Sequence, residues 1–351
     1  MSENDIVEAS SGERRFDRRV EGLDPLRFMA ALWVVLYHWG ASVDRSTLQG
    51  VWGALFNGPS AVIVFFVISG FCIHFPYRKL DQEVHIVPFL LRRYGRVGIP
   101  LLLARIWSPT FHVTTAALID AVGWSLIVEL IFYSIYPFLR FPRNHGAWIE
   151  YLVCFFVLGF AVVAWRGFPA DYAKWGHLFN WMLAFPCWLL GCFLASQYDS
   201  LPCKSGSRGH LWWWRLSMIL AGALCGVLRY HSPIGYPWTL NALAVLIFFW
   251  IRQEIMSAGQ KATAFGRVLA WGGTWSYSMY LVHGMGIHYV SKWVIPGVPM
   301  GVNYVVQGCG VLAFCYLFYL VVEKPSHWIS RWIAGRLDSL YERTRRYEYV
   351  E

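Results

Sequence analysis

Charge is scarce in this chain, and that scarcity excludes a soluble architecture. Asp, Glu, Lys and Arg make up 15% of the 351 residues, against about 25% in a typical soluble domain. Hydrophobic residues reach 57% and the mean hydropathy is +0.41. The apolar residues fall in runs of about 20, the length that crosses a hydrocarbon core of about 30 Å. Other features are missing too. The eight cysteines form no CxxC pair and no Cys/His ligand spacing, so no metal site is expected. Seven of them lie in apolar runs and read as small hydrophobes, with Cys203 in a loop. The first twenty residues lack the apolar core and cleavage site of a secretory signal, and with Arg14, Arg15, Arg18 and Arg19 they read as a cytosolic tail. No internal repeat or low-complexity tract is evident, and no loop is long enough for a second domain.

What is present is an all-α polytopic membrane protein. Apolar runs between polar or Pro/Gly breaks predict about ten transmembrane helices, at residues 25–43, 53–75, 89–107, 120–139, 148–165, 177–196, 211–228, 238–251, 268–289 and 302–322. The third is interrupted by Arg92, Arg93, Arg96 and Pro100. This divides the chain into a basic tail (1–22), a membrane domain (23–325) and a second basic tail (326–351). The 20 Trp, 19 Tyr and 24 Phe suit both bilayer interfaces and core packing.

The basic residues orient the spans. With the amino terminus in the cytosol, 22 Lys and Arg fall on cytosolic segments and 5 on the opposite side (Arg45, Arg166, Lys174, Arg229, Lys292). That bias places both termini inside. The net charge of +9 is therefore topogenic, and no nucleic-acid partner is expected; the lipid bilayer is the partner.

Ionisable groups within spans are costly and mark functional candidates. Here they are Arg27, His38, the cluster Arg92, Arg93 and Arg96, Glu129 and His283, with Glu323 at the last span's exit. Arg27 and His38 are eleven residues apart, about 20° beyond three helical turns, so they share one face about 16 Å apart along the axis. A snorkelling Arg with a hydrogen-bonded core His accounts for the pattern equally well. Glu129 lies at a depth within about 6 Å of His38, which makes it a candidate to hold the imidazole in one tautomer; a Trp or Tyr partner is the alternative. The Arg cluster serves topology or a phosphate site.

Six segments carry a resemblance. LDPLRFMAALWVVLYH (Leu23–His38) pairs a basic residue with a His after ten residues. FFVISGF (Phe65–Phe71), FLLRRYGRVGIP (Phe89–Pro100), WSLIVELIFY (Trp124–Tyr133), SYSMYLVH (Ser276–His283) and VEKP (Val322–Pro325) follow in order. The set resembles the acyltransferase 3 family of bacterial membrane O-acyltransferases. Pro25 stands where many relatives carry Gly, and Ile63 where some carry an acidic residue. The stretch from Pro100 to Trp124 is short, which bears on acceptor selectivity, and no appended esterase-like domain is expected.

The resemblance implies a multi-pass protein of the bacterial inner membrane. It would move an acyl group, acetyl first among candidates, from acyl-CoA to a hydroxyl of a carbohydrate or glycoside. Acyl-CoA would be a co-substrate, with no permanently bound cofactor. Arg27, Arg92, Arg93 and Arg96 would bind the donor. His38 would deprotonate the acceptor or carry the acyl group, and Glu129 would orient it. Ser69, Tyr133, His283 and Glu323 are candidates for acceptor binding or support, with His283 also readable as structural. Ser69 and Gly70 suit close helix packing, and Glu323 is expected to pair with a cytosolic Arg. A multi-span transporter of a sugar-containing or anionic small molecule is the rival, since transporters also bury Arg, His and Glu.

Overall fold

The computed structural model describes residues 20, 22–43, 48–79, 84–108, 113–139, 141–142, 144–165, 171, 177–202, 208–257 and 263–348. Residues 1–19 and 21 of the first basic tail, and Cys203, lie outside them. The described residues are helical, with no strand among them. We number the helices α1 Leu23–Val43, α2 Leu48–Leu55, α3 Gly58–His74, α4 Ile86–Arg93, α5 Ile99–Trp107, α6 Val113–Ile135, α7 His145–Trp165, α8 His177–Ser196, α9 Arg208–His231, α10 Tyr236–Met256, α11 Ala264–Gly273, α12 Ser276–Val290, α13 Met300–Phe318 and α14 Lys324–Glu348. Among the described residues, six helical segments are long and apolar enough to cross a membrane: Val51–Tyr77, His145–Trp165, Phe179–Ser196, His210–His231, Tyr236–Met256 and Met300–Tyr341.

Three expected spans are not single α-helices. The second is broken between α2 and α3 at Asn57, whose backbone (ψ 95°) leaves the helical range just before Pro59; proline accepts the first turn of a helix but not its interior. The third is α4 and α5 joined through a π-helical turn, Tyr94–Gly98. There Gly95 lies so close to α14 that a Cβ on it would sit 2.1 Å from Cβ of Ser330. The ninth is split into α11 and α12 at Trp275 (φ −121°, ψ 14°).

The centre of the fold is α3 against α8. A Cβ on Gly70 would lie 1.9 Å from the carbonyl oxygen of Trp188, and one on Gly191 would lie 2.0 Å from that of Val67. Reciprocal glycines thus let two backbones touch, which suits a medium where dispersion rather than water drives helix association. Around this contact α1 packs on α3, α11 and α12, and α6 on α8 and α12. The carboxyl-terminal α14 folds back onto α4, joined by Arg92 to Asp338.

Candidate active site

A cavity of about 100 Å³ opens between α1, α3, the α4–α5 junction, α6 and α12. Each helix delivers polar groups to it at helical spacing. On α3, Ser69 and Cys72 are three residues apart; on α6, Ser125, Glu129 and Tyr133 follow at four-residue steps, so each set shares a face. Arg27, Arg93, Arg96, Ser276, Tyr277 and Tyr280 complete the polar lining.

At one end Arg27 donates to Oδ1 of Asp24 (3.0 Å) and to Sγ of Cys72 (2.8 Å). One turn from Cys72, the Ser69 hydroxyl donates to Oε1 of Glu129 (2.5 Å), and Tyr133 donates to the same oxygen. The Glu129 carboxylate is therefore held by two hydroxyls from α3 and α6, within the same cavity as Arg27. At the other end, the Tyr280 and Ser125 hydroxyls meet at 2.7 Å.

One turn beyond Tyr280 stands the buried His283. Its Nδ1 faces two carbonyl oxygens, Tyr280 (2.8 Å) and Met279 (3.1 Å). Carbonyls only accept, so Nδ1 carries the proton and Nε2 of the neutral ring keeps its lone pair. That lone pair lies 3.1 Å from Nδ1 of His38, which also faces the Val34 carbonyl at 3.0 Å. With acceptors on both approaches, the proton of neutral His38 sits on Nδ1. Its Nε2 is left as a lone pair with no hydrogen-bond partner among the described residues. The rings are 4.9 Å apart at 42°. This tautomer assignment follows from the partners, and it leaves a base with one defined basic atom.

Several expectations are corrected. Glu129 does not hydrogen-bond His38; its partners are Ser69 and Tyr133, and the tautomer-fixing contact comes from His283. The Arg cluster divides. Arg92 donates to Asp338 on α14, which also meets His85 at 3.2 Å, so Arg92 ties α4 to the tail. Arg93 and Arg96 line the cavity, and Nε of Arg93 is buried with no hydrogen-bond partner among the described residues. Glu323 forms no ion pair among them; it accepts the backbone N–H (3.0 Å) and hydroxyl (2.5 Å) of Ser278 at the start of α12. Asp24, Cys72, Ser125 and Tyr280 join the site without being among the sequence candidates. The three-residue steps from Ser69 to Cys72 and from Tyr280 to His283 are the signal that points to two of them.

The helices around the cavity, α3 among them within a segment long and apolar enough to cross a membrane, gather guanidinium, carboxylate and hydroxyl groups. With an oriented imidazole pair beyond it, the set is chemically able to move protons and bind anions. The chain belongs to the acyltransferase 3 family: that family's model, described as an acyltransferase domain, matches residues 20–320. The chain is similar to the acyltransferase MdmB of Streptomyces mycarofaciens, at 25% identity over 366 residues, covering 88% of this chain and 91% of the relative. No solved structure matches it.

Proposed function

We propose that this acyltransferase moves an acetyl or other short acyl group from cytosolic acyl-CoA to a hydroxyl of a carbohydrate or glycoside. In this reading it is a ten-span protein of the bacterial inner membrane with both termini in the cytosol. The observation that carries the chemistry is the free Nε2 of His38, directed by the contact of Nδ1 with His283.

The acceptor hydroxyl gives its proton to Nε2 of His38, and its oxygen forms a bond to the thioester carbonyl carbon. The carbon–sulfur bond breaks, and the proton held by His38 passes to the coenzyme thiolate, restoring the neutral imidazole. Atoms and charge balance without a further reactant. Arg93 and Arg96 meet the anionic donor and Arg27 adds positive charge beside Cys72, since guanidinium forks suit phosphate oxygens. Glu129 fixes Ser69 and Tyr133 in the wall and balances the cations.

The test is transfer itself. Purified protein incubated with labelled acetyl-CoA and a panel of glycosides should give labelled ester and free coenzyme thiol in equal amounts. Hydrolysis alone, or labelled glycoside crossing a vesicle membrane unmodified, counts against the reading and, in the second case, for a transporter. Reporter fusions at Glu351 and Lys174 should report opposite sides of the membrane; the same side would break the ten-span topology.

A further inference from the structure

A second and larger cavity, about 430 Å³, is lined in part by residues that follow the first cavity's wall along α3 and past the end of α6. We infer that it is the subsite for the nucleotide end of the donor, an adenosine phosphate group; the inference rests on the acyl-CoA reading above.

Volume argues first. Pockets that enclose a whole small ligand measure about 300–1,000 Å³, so the cavity of about 100 Å³ admits a thioester head and not a nucleotide-bearing molecule. The rest of such a donor needs a neighbouring space. The two linings have no residue in common but continue along the same elements: α3 gives Cys72 and Ile73 to the first and His74 to the second, while Tyr133 lines the first and Tyr136, just past the end of α6, the second. Between them lies an aromatic group in which Phe89 stacks on Tyr136 (5.3 Å, 23°) and meets Tyr77 edge-on (6.0 Å). Arg93 stands 5.7 Å over Phe89 while also lining the first cavity. Its guanidinium is thus at the junction, where a diphosphate linker would pass.

The lining of the second cavity suits an aromatic anion. Phe141 and Trp148 stack at 5.4 Å and 22°, forming a flat wall beside His74, whose ring is 4.4 Å from Phe141. His74 is fixed by the Tyr136 hydroxyl at 3.0 Å. Arg78 and Lys79 are its cationic groups, with the His145 imidazole beside them, and among the described residues no acidic one lines the cavity. Arg78 is bound by Asp199 through two contacts of 3.0 Å. Lys79, exposed and without an ion pair among the described residues, supplies a second positive charge. Stacking faces with nearby cations are the usual means of holding a base and its phosphates.

The experiment compares two donors with the same reacting thioester, acetyl-CoA and acetyl-pantetheine, on the full-length protein and on Lys79→Gln/His145→Gln. The double variant should raise KM for acetyl-CoA about tenfold or more, the size expected from lost charge-assisted contacts, and shift that for acetyl-pantetheine less than about twofold. Adenosine 3′,5′-bisphosphate should bind the unmodified protein in a titration without substrate, and bind the variant at least about tenfold more weakly. Equal KM rises for both donors overturn the subsite, as does a bisphosphate that fails to bind or binds both proteins alike. If the unmodified protein uses neither thioester, the acyl-CoA reading itself fails, and the binding titration still decides whether the cavity takes a nucleotide.

Discussion

His283 holds Nε2 at 3.1 Å from Nδ1 of His38, and two carbonyls hold the proton on the far nitrogen of His283. One imidazole thereby sets the tautomer of the other, the role an aspartate fills in a serine-protease triad. Unlike a carboxylate, a neutral imidazole adds no negative charge to offset the cation that forms on His38 during proton transfer. His38→Ala should remove the base and lower kcat by about 10²–10⁴ while leaving the melting temperature near that of the unmodified protein. His283→Leu should leave the base present but held by the Val34 carbonyl alone, and lose about 5- to 150-fold in kcat, the value of one buried hydrogen-bond contact. Its donor KM should not change. Near-normal turnover of a well-folded His38→Ala protein would sink the mechanism.

Glu129 lines the cavity, which neither imidazole does, and touches two hydroxyls rather than a base. Glu129→Gln should keep the shape and leave the Arg27 side of the site more positive. A drop in kcat with an unchanged pH profile is expected, because in the proposed mechanism the proton passes through His38. A shifted acidic limb in the variant would instead reveal direct coupling of Glu129 to His38.

The tight contact between α3 and α8 makes a stability prediction. At Gly70 an added methyl would lie 1.9 Å from a backbone carbonyl of α8, with no flexible side chain to give way. Gly70→Ala should therefore destabilise by about 1–3 kcal/mol or more, the cost of overpacking. Because Ser69 is the next residue and holds Glu129, activity should fall with stability. An unchanged melting temperature would mean that α3 and α8 separate freely.

The residues that form this site are legible in the sequence; their pairings are less so. Arg27, Ser69, Arg93, Arg96, Glu129 and Tyr133 are candidates on sequence alone, and all line one cavity. Six ordered motifs and the cost of burying charge are enough to find them. The pairing of His38 escapes such reasoning for a geometric reason. Rise per residue gives depth along a helix axis, and at equal depth it does not say which helices are neighbours. Laterally α1 lies against α12 and α3, so the imidazole meets His283 and not the carboxylate of α6. Arg92 is obscure in the same way: nothing local distinguishes it from Arg93, and its partner Asp338 is 246 residues away. The breaks at Asn57 and Trp275 escape notice because hydropathy continues across them.

That division of the Arg cluster yields the sharpest contrast. Arg92 and Arg93 are adjacent in sequence and about 100° apart around the helix, so one faces α14 and the other the cavity. Arg92→Gln should leave the donor KM unchanged and lower stability through release of α14 from α4. Asp338→Asn should reproduce it, and combining the two should cost little more than either alone, as partners in one pair do. Arg93→Gln should raise the donor KM by about 10- to 150-fold, the worth of a charge-assisted contact, with little change in stability, since Nε of Arg93 has no hydrogen-bond partner among the described residues to lose. Donor kinetics and melting temperatures measured on the same four preparations separate these effects. Were Arg92→Gln to raise the donor KM while Arg93→Gln did not, the cavity would not be the donor site and the ion pair with Asp338 would have to open in the working enzyme.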